Sequence, residues 1–178
     1  RALSQWKSSW LSREGVCAVA ALGVLGLYAL LAIFFETKVA ALGFVGSVLS
    51  LLTVFTTSMI YTQMKTVPRW NHWSTPLLFL SLSIGGGALL AAQATVAGVF
   101  LLIATLTQAF AFWDGDRRFK DRGHTLNTAT GLQHGEMRLF EPPHTGTNYL
   151  LKEMAHQIGR KHAQRLRVLG LMFGLALP

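Results

Sequence analysis

The sequence is short of charge. Of its 178 residues, 13% are Asp, Glu, Lys or Arg, about half the roughly 25% found in soluble globular domains. The shortage is also lopsided, with 16 Lys and Arg against 8 Asp and Glu in a chain that is 51% hydrophobic. Apolar bulk and cationic charge must be segregated along the chain. This excludes a soluble single domain, a disordered tail and an ordinary nucleic-acid binder. The basic segments also lack the regularly interleaved aromatics of a single-strand binder. Cysteine is nearly absent: Cys17 alone allows no disulfide framework, Cys-ligated cluster or cysteine-rich zinc site. No histidine occurs between residues 15 and 71 or between 73 and 123, so the apolar stretches hold no axial ligand for a transmembrane haem. Walker, GxSxG and HExxH motifs are missing. No charged residue lies in the middle of an apolar stretch, which argues against an ion-coupled pump or transporter.

What is present is a series of charge-free runs. Residues 15–35 form 21 of them in a row, about 31 Å as a helix at ~1.5 Å per residue, against a hydrocarbon core of ~30 Å. Residues 39–64 add 26, and residues 70–113 give 44 without Asp, Glu, Lys or Arg. The last run is long enough for two spans, 76–92 and 95–113, joined by a tight connection. The expected fold is an all-α polytopic transmembrane bundle: four spans within residues 1–113, a polar basic segment over 114–162, and the start of a truncated fifth span over 163–178. That final run has 11 apolar residues from Val168 onward, where about 20 are needed to cross a bilayer; together with a first residue, Arg1, that is not Met, this reads as a piece of a longer chain. Gly85-Gly86-Gly87 falls inside the third span, where small residues let neighbouring helices approach closely. Trp10, Tyr61, Trp70, Trp73 and Trp113 lie near span ends, as an aromatic belt requires; Tyr28 fits that belt poorly.

Alternating spans place 15 of the 16 Lys and Arg on one side and Lys38 alone on the other. The positive-inside rule makes the crowded side cytoplasmic, so residues 1–14, 65–74 and 114–167 are expected on the cytoplasmic face of the membrane. Within the polar segment, Pro142-Pro143 breaks the chain. Leu150, Leu151, Met154, Ile158 and Leu166 then recur at helical spacing, which predicts an amphipathic interfacial helix leading into the fifth span. The histidines here, His124, His134, His144, His156 and His162, match no tight ligand spacing, and no metal site is expected.

Two places could carry chemistry. Arg13 and Glu14 stand immediately before the first span, where a carboxylate can accept a proton; the plainer reading is an acid favoured by the positive end of a helix dipole. The second is residues 61–76. There Tyr61, Lys65, Arg69 and His72 are hydrogen-bond donors, Trp70 and Trp73 are flat apolar walls, and two prolines stiffen the turn. An aromatic head group with two polar oxygens, such as a quinone, needs a slot, donors and a nearby base. An ordinary positive loop with interfacial tryptophans fits the same residues.

Ser12-Arg13-Glu14 before one apolar span, and Thr66-Val67-Pro68-Arg69-Trp70 with Thr75-Pro76 opening another, resemble the membrane anchor subunit of anaerobic dimethyl sulfoxide reductases. The stretches HTLNTATGLQHG and LFEPPHTGTNYLLKEMAHQIGRKHA are similar to family members with a long polar loop, so the likeness covers nearly the whole chain. The resemblance implies a haem-free helical subunit that binds and oxidises menaquinol. It further implies that electrons pass to an iron–sulfur subunit and on to a molybdopterin catalytic subunit, in anaerobic respiration. The residue matching Glu14 is implied to serve quinol oxidation; joined with the reading of the two clusters, this makes Glu14 the expected proton acceptor and Arg13, Tyr61, Lys65, Arg69, Trp70, His72 and Trp73 the expected surroundings of the quinol. A histidine that also matters in the family would precede Arg1. Other readings are an anchor for a polysulfide- or thiosulfate-type molybdoenzyme, or a transporter or scaffold without redox chemistry.

Overall fold

The computed structural model describes residues 3–123, 125–132, 135 and 158–176. Every regular element among them is helical. After a short 3-10 turn, Leu3–Gln5, come α1 (Trp10–Phe34), α2 (Ala40–Thr62), α3 (Ser74–Leu90), α4 (Ala94–Arg122), the five-residue α5 (Leu126–Thr130) and α6 (Ala163–Ala176). Three of these, α1, α2 and α4, are long and apolar enough to cross a membrane. Helix α3 has 17 residues, about 26 Å at ~1.5 Å per residue, the lower end of what a span needs. The transmembrane helical bundle expected from the charge-free runs is the architecture found.

The helices form two antiparallel hairpins, α1 with α2 and α3 with α4, and α2 joins them by packing on α3. Large apolar side chains point outward: Leu22, Phe44 and Leu90 are 73%, 72% and 93% exposed, as lipid-facing residues should be. The interfaces are built instead from small residues, because dense packing rather than hydrophobic exclusion holds helices together in lipid. Ser58, Ser74 and Ser81 are fully buried. Their hydroxyls need partners in an apolar setting; Ser58 donates to the Phe55 carbonyl at 2.6 Å and Ser81 to the Leu77 carbonyl at 2.7 Å. A Cβ on Gly46 would overlap the Leu25 side chain, and one on Gly85 would come within 2.9 Å of Leu101 Cγ. Of the three consecutive glycines, only Gly85 faces a neighbouring helix; a Cβ on Gly86 or Gly87 would meet nothing within 4 Å.

One end of the bundle holds the two tight hairpin turns. Glu36 and Ala92 sit there in the left-handed region, at φ 52° and 56°, and let Thr37 and Gln93 donate back to the carbonyls of Leu31 and Ala88. The basic residues gather at the other end, around the start of α1, the 63–73 turn and the end of α4.

Helix α4 does not stop where its apolar run stops. The polar segment expected from residue 114 is helical through Arg122 and is closed by Gly123 at φ 53°. The reason is tertiary: its charged side chains are held by the 63–73 turn, as described below. Helix α6 returns antiparallel to α4. Arg167 meets Asp116 and Phe112, while Gly174, two turns on, reaches Thr105. The amphipathic helix expected before α6 lies, for most of its length, outside the described residues.

Candidate functional site

Glu14 lies on α1 beyond its first turn, away from the free N–H groups that favour an acid through the helix dipole. Its carboxylate instead faces α2, where Thr57 Oγ1 stands 2.8 Å from Glu14 Oε1. The same hydroxyl is 2.9 Å from the Thr53 carbonyl. A hydroxyl has one proton to donate and can also accept. When Glu14 is ionised, Thr57 donates to it; when Glu14 is protonated, Glu14 donates to Thr57 and Thr57 turns to Thr53. Both protonation states of the carboxyl group are thus satisfied with no backbone movement. Arg13, its neighbour in sequence, turns the other way. Its guanidinium donates to the Trp6 and Lys7 carbonyls at 2.9 and 2.8 Å and lies 4.2 Å from the Trp10 ring, pinning the N-terminal segment onto α1.

The residues of the 61–76 cluster are adjacent in sequence but splayed by the turn. Tyr61, one helical turn beyond Thr57, packs its ring edge-on against Trp70 at 5.3 Å and at a shallow tilt against Phe79 at 5.6 Å. Arg69 forms an ion pair with Asp116 at 2.9 Å and covers the Phe119 ring at 4.8 Å. His72 points to α4 instead: Nε2 is 3.8 Å from Asp114, Nδ1 is 3.0 Å from the Ser74 hydroxyl, and the ring lies against Phe110. Burial, reinforced by Arg118 and opposed by Asp114, holds His72 below its ordinary value of 6.5. Trp73 stacks on Phe110 at 5.6 Å and is exposed. Lys65 extends its side chain without a hydrogen bond or ion pair among the described residues, while its carbonyl accepts from Arg122.

Asp114 and Asp116 organise this end of the molecule. Asp116 receives Arg167 at 2.6 Å as well as Arg69; hydrogen bonds from Arg167 are the main cause that holds its carboxyl below the usual carboxylate range, ahead of the smaller contribution of Arg69. Arg118 pairs with Asp114 at 2.7 Å and donates to the Pro68 and Asn71 carbonyls. These bonds tie the turn to α4 and, through Asp116, to α6. Gly115 allows the approach, since a Cβ there would lie 3.3 Å from Arg69 Cγ.

Between the turn, α3 and α4 lies a cavity of about 200 Å³. Trp70, Phe79 and Phe112 form its flat walls, and Arg69, Thr75 and Gln108 its polar lining. A second cavity of about 270 Å³ adjoins it between α3, α4 and α6; Leu78, Gln108 and Phe112 border both. Of the residues expected to surround a bound quinol, the structure brings Arg69 and Trp70 onto the first cavity with Tyr61 behind its wall. Glu14, Arg13, Lys65, His72 and Trp73 do not line it. Glu14 is one helical turn from Tyr61 through Thr57, on the far side of that aromatic wall. No group of three or more His, Cys, Asp or Glu converges among the described residues.

The sequence pattern alone does not single out Thr57, Asp114, Asp116 or Gln108. Thr57 and Asp116 act through partners 43 to 51 residues away, for which no local pattern exists; Asp114 pairs with Arg118 four residues on and faces His72 from across the turn. Gln108 had a signal, as one of only two side-chain amides, with Gln93, between Trp73 and Trp113.

Comparison with known proteins bears on the same region. Residues 1–113 match the family model described as DMSO reductase anchor subunit (DmsC). The chain is also similar to a sulfite dehydrogenase subunit from Allochromatium vinosum, with 27% identity over 203 aligned positions covering 100% of this chain and 62% of the relative. The chain thus spans less than two thirds of that protein's length. No solved structure matches it.

Proposed function

Because the chain belongs to the DMSO reductase anchor subunit family, we propose that it is the quinol-oxidising part of a membrane-bound molybdoenzyme complex. Menaquinol from the bilayer loses two electrons and two protons. The electrons pass to an iron–sulfur subunit docked on the basic end, which faces the cytoplasm, and from there to a molybdopterin subunit that reduces dimethyl sulfoxide or a related oxide. This chain anchors those partners in the membrane.

The observation that carries the reading is the Glu14–Thr57 pair, a carboxylate at the boundary of two apolar helices whose partner accommodates it with or without a proton. Such a group can take the two quinol protons in turn as the electrons leave, releasing the first to the polar end before it accepts the second. In the complete complex, Glu14→Gln should lower quinol-dependent turnover by about 10²-fold, the lower range for loss of a general base. Reduction of the oxide by a dye donor that bypasses the quinol should be unaffected. Unchanged quinol-dependent turnover would refute the role of Glu14, and equal loss with both donors would point to failed assembly.

A second reading has one observation in its favour. The relative from Allochromatium vinosum is named for a dehydrogenase, whose electrons would run from the catalytic subunit toward the membrane. The same pair would then donate a proton to a quinone being reduced. Assay of both directions in one complex, with quinol plus oxide and with quinone plus reductant, separates the two.

A further inference from the structure

The two adjoining cavities do not contain Glu14, and their chemistry differs from it. Gln108 stands at the junction, partly buried, with no hydrogen-bond partner for its side-chain amide among the described residues. It lies six residues before Asp114, about 9 Å deeper along α4 at ~1.5 Å per residue. An amide without a protein partner at that depth is open to one from a ligand, so the position favours a ligand that supplies it. On one side of Gln108 the walls are aromatic and planar: Trp70, Phe79 and Phe112. On the other they are aliphatic or small, Leu78, Leu82, Ala104, Gly170 and Gly174, with one hydroxyl, Thr105, that donates to the Leu101 carbonyl of its own helix. Singly the cavities are smaller than the ~300–1,000 Å³ typical of small-molecule sites, and jointly they reach it. A flat ring bearing an oxygen, continued by a flexible apolar chain, matches this sequence of walls.

We infer that the α3–α4–α6 cavity is a second quinone site, separate from Glu14, in which quinone and quinol exchange with the bilayer without reacting. The inference rests on the quinol reading above. A carboxamide both donates and accepts, so Gln108 binds the carbonyl of the oxidised form and the hydroxyl of the reduced form equally well. It takes up no proton. Of the other polar groups on the ring compartment, Arg69 is held by Asp116 and Thr75 donates its hydroxyl to the Trp70 carbonyl. The site can thus hold either redox state but offers no proton acceptor, whereas Glu14 offers one. Tyr61, packed on Trp70 and Phe79, stands between them.

Gly170 supplies the means of testing this. A Cβ there meets nothing within 4 Å, so Gly170→Leu would fill the apolar compartment without disturbing helix packing. Membranes carrying the complete complex would be labelled with a photoreactive azido-naphthoquinone, and the labelled peptides mapped in wild type, Gly170→Leu and Gln108→Leu. The expected result is labelling in two regions, residues 10–61 and residues 78–112, with the second reduced at least fivefold in both variants and the first unchanged. Labelling confined to 10–61, or labelling of 78–112 indifferent to both substitutions, would overturn the second site while leaving the quinol reading in place. Labelling of neither region would overturn both. A phospholipid retained on 78–112 through purification, in place of quinone, would overturn the assignment of the occupant.

Discussion

Substituting each of Gly85, Gly86 and Gly87 by alanine gives three adjacent changes with identical chemistry and opposite expected signs. In a helix interior, Ala is favoured over Gly by about 0.8–1.0 kcal/mol. At Gly86 and Gly87 nothing opposes that gain, because a Cβ meets no atom within 4 Å; each variant should be more stable by roughly 0.5–1 kcal/mol. At Gly85 the new methyl would lie 2.9 Å from Leu101 Cγ and 3.3 Å from the Leu101 backbone nitrogen. A side chain can rotate away, but the nitrogen belongs to α4 itself, so α3 and α4 must separate by a few tenths of an ångström. Overpacking of this kind costs about 1–3 kcal/mol, which outweighs the propensity gain and leaves a net loss of up to about 2 kcal/mol. The fraction of detergent-solubilised complex still monodisperse after a graded heat step would rank the variants. Gly86→Ala and Gly87→Ala should lie above wild type and Gly85→Ala below it. Equal effects at all three positions would refute the claim that one glycine alone sets the α3–α4 spacing, and with it the depth of the cavity that begins one turn away at Leu82.

The two left-handed turn residues give a gain in the opposite chemical direction. Glu36→Gly and Ala92→Gly relieve a conformation that costs an L-residue about 1–2 kcal/mol, less about 0.4–1 kcal/mol of extra unfolded-state entropy, and each should raise thermal resistance in the same assay. His72 supplies a pH dependence. Its folded value lies below 6.5, so as pH falls from 6.5 the unfolded chain takes up a proton that the folded chain refuses. Stability is therefore full above pH 6.5 and declines between 6.5 and the lowered folded value; His72→Gln should flatten that decline, and an unchanged slope would show that another group sets it.

How much of this was legible in the sequence depended on the range of the interaction that decides each feature. The spans at α1, α2 and α4 follow from local composition, and the Gly85 contact fell within a run that composition had already marked. The overrun of α4 did not, because Asp114, Asp116, Arg118 and Arg122 look like the start of a solvated loop until the 63–73 turn is laid beside them. Nor did the geometry of the site. Arg69, Trp70, His72 and Trp73 are neighbours in the chain, yet the turn sends Arg69 to Asp116 and Trp70 to Tyr61, while His72 and Trp73 both turn to Phe110 on α4. The pairing of Glu14 with Thr57 spans 43 residues and involves one of several hydroxyls on α2, so only the packing of α1 on α2 selects it.

Tyr61 tests whether the aromatic wall or a phenolic hydroxyl matters at the boundary between the two sites. The sequence pattern makes Tyr61 a hydrogen-bond donor to bound quinol. In the structure its ring is held by Trp70 and Phe79, and its hydroxyl has no partner among the described residues. Tyr61→Phe keeps the ring and removes only the hydroxyl. If the hydroxyl binds quinol, this variant should raise KM for quinol by about tenfold, the equivalent of a ~1.4 kcal/mol hydrogen bond, with turnover at saturation little changed. If Tyr61 serves only as a wall, Tyr61→Phe should be silent. Tyr61→Ala should then act alone, removing two aromatic contacts worth about 0.5–1.5 kcal/mol each and opening the space between Thr57 and the cavity. That opening has a specific consequence, since a quinol bound near Trp70 would gain a direct path to Glu14. Photolabelling of 10–61 and 78–112 would lose its independence, so that Gly170→Leu, harmless to the Glu14 region in wild type, would depress both in the Tyr61→Ala background. Independence preserved in the double variant would mean that the helices, not the Tyr61 ring, keep the two regions apart.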